Sequence, residues 1–170
     1  MKIRNHLFVT AILLAGFAVN TTAQSTATAT ATATIVTPIS IAKTADLSFG
    51  NIAVNATTGG TVVLATGGTR TSTSGVTLPA TAGTVTAAAF TVTGSGSYTY
   101  AITLPTSVTL TRVSGTETMS ASAFTSNPSG TGTLSSGTQN VSVGSTLTVA
   151  AGQDAGVYNS ASFNVTVNYN

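Results

Sequence analysis

Apolar and polar side chains alternate along much of this chain. In FNVTVNY, residues 163–169, Phe163, Val165, Val167 and Tyr169 share one side, and Asn164, Thr166 and Asn168 share the other. A two-residue period with one dry and one wet face is that of an antiparallel strand. Phe90 and Val92 repeat it, and Tyr98 and Tyr100 flank Thr99 in the same way. Helix formers such as Leu, Glu, Lys and Arg are sparse, while Thr, Ser, Gly and Val dominate. The pattern predicts strands over 27–36, continuing past Pro38 into 39–42, then over 47–52, 61–66, 87–94, 98–104, 108–113, 118–126, 140–150 and 163–169. Residues 68–73 are expected to return as a hairpin across Gly67-Gly68. Many short strands with Gly, Asn and Pro between them predict an all-β sandwich or barrel. Phe49, Phe90, Phe124, Phe163 and Val165 are the expected core.

Near the C-terminus, QDAGVY, residues 153–158, places a tyrosine behind an Asp-x-Gly turn. The structural reading is a tyrosine corner of the kind found in immunoglobulin-like sandwiches, its hydroxyl bonded to nearby backbone; the functional reading is a ligand-facing Tyr158. Tyr158 and Phe163 have opposite parity, which a β-bulge within Asn159–Ser162 would absorb.

The N-terminal pattern differs. Basic Met1-Lys-Ile-Arg4 precedes an apolar run over Leu7–Val19 and small residues ending at Ala23. This is the layout of a secretory signal peptide over 1–23, and the run is short for a bilayer span. Such a leader changes the charge. The chain has a formal net charge of +2. Beyond residue 23 the cations are Lys43, Arg70 and Arg112 and the anions Asp46, Glu117 and Asp154, three against three. A neutral body offers no phosphate-binding patch, so nucleic acid is not an expected partner. With 170 residues and no cysteine, the expected organisation is a signal peptide (1–23), an Ala/Thr-repeat strand or arm (24–36) and one β-sandwich domain (37–170) held by packing and strand pairing rather than disulfides.

The segment TATATATATIV, residues 26–36, has the strictest alternation of all. Ala27, Ala29, Ala31, Ala33 and Ile35 fall on one face, and Thr28, Thr30, Thr32, Thr34 and Val36 on the other. β-branched Thr favours extended backbone, but Ala specifies little packing. Four readings are open: the first edge strand of the same domain, an arm completing a neighbour's sheet, a flat Thr row matching ice or a crystalline sugar, and cross-β self-assembly. If the segment is exchanged between copies, Ile35, Val36, Ile39 and Ile41 are the bulky residues that would carry it.

Catalytic chemistry has little to draw on. The one histidine, His6, lies in the leader, and Cys and Trp are absent. No His-based or Cys-based nucleophilic triad and no N/S metal site can be built beyond residue 23. Asp46, Glu117 and Asp154 could supply a carboxylate pair, but solvated or turn-capping roles are expected, and Lys43 is expected to pair with Asp46 on the surface. Gly94-Ser-Gly96 and Gly130-Thr-Gly132 lack the partners of nucleotide loops and read as turns. The expectation is a non-enzyme without cofactor or metal. Sugar platforms use exposed rings, and without Trp the candidates are Tyr98, Tyr100 and Tyr158, with Tyr169 beside them.

The ordered series ATATIVTPISI (31–41), DLSFGNIAV (46–54), GTVVL (60–64), FTVTG (90–94), YAITLP (100–105), FTSNPSGTGTL (124–134) and FNVTVNYN (163–170) resembles the bacterial family known as domain of unknown function 4402. The resemblance implies an exported immunoglobulin-like (pilin-like) antiparallel β-sandwich, similar to spore-coat-U-like and fimbrial subunits, and it transfers no catalytic residues. The expected role is therefore a structural, fimbria-like or coat subunit acting by self-association or adhesion, in the periplasm, at the outer surface or outside the cell. A carbohydrate-binding module using exposed tyrosines is the alternative.

Overall fold

The computed structural model describes residues 23–170, so the expected leader lies almost wholly outside the described residues. The chain divides at Thr34 into a short N-terminal unit and the body, Ile35–Asn170. Residues 23–39 form no strand, so the strand predicted over 27–36 is not present. Its Ala face offers too little apolar area to fix a register. The flat Thr row that such a strand would display is absent with it.

The body is all-β and antiparallel. Its strands are β1 (Ser40–Ala45), β2 (Ala53–Val54), β3 (Gly60–Leu64), β4 (Arg70–Ser72), β5 (Val76–Thr77), β6 (Ala88–Thr93), β7 (Thr99–Thr103), β8 (Ser107–Arg112), β9 (Thr118–Asn127), β10 (Thr131–Thr133), β11 (Thr138–Val149), β12 (Tyr158–Ser160) and β13 (Thr166–Tyr169). A large sheet runs β1-β6-β11-β9-β8-β12, with β3 also on β11 and β4 on β3. A second sheet runs β10-β7-β13, and β2 pairs with β5. No helix among the described residues is long and apolar enough to cross a membrane.

The long strand β11 organises the sandwich. Its first half pairs with β6 and its second half with β3, while β9 runs along its other side. Two core clusters follow. One gathers Phe90, Val92, Tyr100, Ile102, Leu134, Val141 and Val143 between the large sheet and β10-β7-β13. The other gathers Phe49, Val62, Leu64, Val76, Leu147 and Val149 around the second half of β11. Leu47 and Phe124 touch both. All five expected core residues lie in or against these clusters. Gly132 lies opposite Tyr100 on β10, where a Cβ would sit 2.3 Å from the ring. The missing side chain is what lets the tyrosine enter the core.

Several details depart from the sequence pattern. The hairpin over Gly67-Gly68 forms as expected, with Val63 facing Thr71. Residues 47–52 instead contribute only an isolated bridge from Ser48 to Thr86. Gly50 has φ +67°, and a Cβ there would lie 2.3 Å from the Ala82 carbonyl, so the backbone turns out of strand geometry at that point. In β9 the register shifts opposite Gly144–Thr146, and Ala123 takes φ 48°. This extra residue moves the inward positions from Met119 and Ala121 to Phe124 and Ser126. The parity change after Tyr158 is not a bulge. β12 belongs to the large sheet and β13 to the small one, and residues 161–165 carry the chain across.

Candidate assembly site

The ion pairs among the described residues form two small groups, and Arg70 instead donates to the Phe49 and Asn51 carbonyls. Lys43 Nζ donates to Asp46 Oδ1 at 2.5 Å, the surface pair expected from the sequence. Arg112 Nε donates to Glu117 Oε2 at 2.6 Å, and its Nη2 lies 3.5 Å from Asp154 Oδ2. The hydrogen bond from Arg112 brings the Glu117 carboxyl down to about 2 and, in turn, raises the Arg112 guanidinium. Two of the three acids thus share one cation, and the third belongs to Lys43. Glu117 stays ionised near neutral pH and cannot serve as a proton donor there. Among the described residues no three His, Cys, Asp or Glu side chains converge on a metal position.

The tyrosines separate by environment. Tyr158 Oη donates to the Asp154 carbonyl at 2.7 Å and accepts from Gln153 Nε2 at 2.9 Å. This is the corner predicted from QDAGVY, and it joins the Arg112 group in fastening the 153–158 turn to β8. Tyr100 is fully buried, its hydroxyl donating to Gln139 Oε1 at 2.7 Å, and burial pushes that hydroxyl above its ordinary pKa. It cannot face a ligand, because its ring is buried in the first core cluster. Tyr98 precedes β7 in a turn and is 49% exposed. Its ring tilts over Tyr169, with centroids 5.6 Å apart. Tyr169 Oη in turn accepts from the Ser95 amide at 2.6 Å and donates to the Thr37 carbonyl at 2.9 Å. The two tyrosines still reachable by a ligand, Tyr98 and Tyr158, therefore have separate surroundings, and only Tyr158 lines the cleft described next.

Of the four bulky residues near the arm, Ile39 and Ile41 pack against the chain's own first cluster. β1 is paired with β6, its Ile41 facing Val92. Val36 is half-buried. Ile35 is 98% exposed. The bond from Tyr169 to Thr37 marks where the chain leaves the body.

The second cluster is not fully covered. A cleft of about 720 Å³ opens beside it. Its floor includes Val108 and Leu110 of β8 and Met119 of β9, with Phe124 at one end; residues 47–54, residues 153–160 and Phe163 form its walls. Sequence reasoning missed this site. Val108, Leu110 and Met119 alternate like any core-facing strand residues, and nothing local indicates whether a second layer covers them.

The backbone on either side of Phe163 is open. Residues 161–165 belong to no strand, yet Phe163 and Val165 are half-buried while Asn164 is exposed, as in a strand. Among the described residues, Ser162, Phe163 and Asn164 make no backbone–backbone hydrogen bond. The cause is visible in the register. Thr166 faces Thr103, so Asn164 would face Pro105, which has no N–H to donate. The ladder between β13 and β7 stops there, although the sequence alternation continues.

Compared with known families, residues 39–169 match the one described as "Domain of unknown function (DUF4402)". The chain belongs to this family. The DUF4402 match begins at Ile39 and therefore covers the sandwich while leaving the Ala/Thr tract outside. No curated protein and no solved structure matches the chain.

Proposed function

We propose that this DUF4402 chain is an exported, surface-associated structural protein, a fimbria-like or coat subunit that works by self-association. The observation that carries the reading is an exposed N-terminal segment bearing Ile35, 98% exposed, on a body whose own sheet has an open cleft of mixed lining with Val108, Leu110 and Met119 in it. A free apolar residue next to an unpaired Ala/Thr tract, together with an unfilled cleft, favours association between like chains. The balanced charge beyond residue 23 removes long-range repulsion between copies. Sedimentation velocity of the leader-free chain across a concentration series, with negative-stain microscopy, tests this. Concentration-dependent oligomers or fibres are expected; a strict monomer at every concentration contradicts the reading.

The exposed ring of Tyr98 supports a second reading, attachment to carbohydrate. A glycan array read with the wild-type chain and Tyr98→Ala separates it: binding lost in the variant supports the reading, and no binding removes it.

A further inference from the structure

We propose that the cleft over β8 and β9 receives the N-terminal arm of a second copy, which pairs as an added strand beside Phe163 and buries Ile35 in the partner. This rests on the self-association reading and names its surface. Two observations converge. The floor of the cleft is apolar and bulky, with Val108, Leu110, Met119 and Phe124. Phe163, at its edge, belongs to a stretch with alternating side-chain burial and no backbone partner at residues 162–164 among the described residues. An extended segment with unused donors and acceptors beside an apolar floor has the two elements that strand addition needs: main-chain bonding for affinity and pockets for alternate side chains.

The arm fits this floor in composition. Ala29, Ala31, Ala33 and Ile35 lie on one face at two-residue spacing. Small side chains set against a bulky floor pack without overfilling it, whereas a row of Leu or Phe would clash. The opposite face presents Thr30, Thr32 and Thr34, which suit an exposed outer surface. The segment contains no proline between Ala23 and Thr37, so every amide can donate. It carries no charge that burial would strand.

Geometry directs Ile35 to a partner rather than to its own cleft. Thr37 is held by Tyr169, and Tyr169 lies six residues beyond Phe163, roughly 20 Å along an extended chain. Ile35 is two residues from Thr37 and reaches back only about 7 Å. The nearer bulky residues, Ile39 and Ile41, already pack in the chain's own core. Each copy would thus present an arm at one end and an acceptor elsewhere, a head-to-tail relation that propagates into chains of subunits.

The chain has no cysteine, so disulfide trapping reads the contact directly. Leader-free chains carrying Ala33→Cys in the arm are mixed with chains carrying Val157→Cys at the cleft rim, a position 65% exposed and therefore tolerant of change. Ser120→Cys, on the exposed face of β9, is the control acceptor. The proposal expects a mixed disulfide with Val157→Cys and none with Ser120→Cys. Adding Ile35→Asp should abolish trapping and raise the concentration at the association midpoint about tenfold or more. Because Ile35 is exposed in the single chain, that substitution leaves the fold intact. Oligomers that persist unchanged in Ile35→Asp, with no trapping at Val157→Cys, overturn the cleft assignment and leave self-association standing. A chain that is monomeric throughout and never trapped overturns both. Closure of an Ala33→Cys/Val157→Cys double variant on itself at high dilution overturns the exchange between copies.

Discussion

The two halves of this sandwich share the same twelve-residue strand, β11, yet differ in how they are finished. At one end Val141 and Val143 meet a complete opposing sheet, and Tyr100, Leu134 and Val92 are sealed to 1% exposure or less. At the other end Leu147 and Val149 are equally buried, but their neighbours Leu110 and Met119 look into the cleft. The difference does not arise in the large sheet, whose strands alternate alike in both halves. It arises in the second layer, where one half has three paired strands and the other has residues 47–54, interrupted at Gly50, with only the two-residue pairing of β2 and β5. Coverage is a property of partners across the sandwich rather than of the strand being covered.

The largest expected effect lies in the sealed half. Leu134→Ala removes a side chain 1% exposed and should cost about 3 kcal/mol in urea unfolding. Next is Tyr100→Phe, which leaves Gln139 Oε1 without its buried donor and should cost about 1 kcal/mol by the same measurement. Leu110→Ala at the cleft floor should cost less than about 1 kcal/mol in the single chain, since Leu110 is only half-buried and few atoms oppose it. Equal costs for Leu110→Ala and Leu134→Ala, measured in the Ile35→Asp background, would erase the contrast between the halves. The smallest effect concerns the fastening of the 153–158 turn. Glu117 has its carboxyl lowered to about 2, so its contribution is present above the ordinary glutamate range and is lost as pH falls through about 2. Wild type should lose more stability than Glu117→Gln across that acid window. Parallel curves for the two proteins would show that the Arg112 group holds nothing in place.

Much of the body was legible because alternation and turn chemistry are local. Thr166 to Tyr169, the Gly67-Gly68 hairpin and the Tyr158 corner depend on residues within a few positions of one another. What escaped depends on distant neighbours. The Ala/Thr tract alternates better than any true strand here, but its small side chains do not fix a register on the chain's own sheet. LSFGNI has strand composition, yet the Ala82 carbonyl leaves room at Gly50 only for a hydrogen. Tyr98 and Tyr100 have the same parity and opposite fates, because one precedes β7 in a turn and the other lies within it, facing the core. The short strands β2, β5 and β10 exist only through their partners, and the uncovered cleft has no local signature at all. The family match, confined to Ile39–Tyr169, likewise speaks to the body and is silent on the arm.

The central claim is that the open half is completed by another copy, and amide hydrogen exchange at Phe163 tests it most directly. This amide has no backbone acceptor among the described residues of the single chain, and strand alternation turns it away from the Pro105 side that Asn164 faces. It should exchange quickly in dilute wild type and in Ile35→Asp at any concentration, and become protected as wild type associates. Rapid exchange at Phe163 in fully assembled wild-type protein would contradict the account.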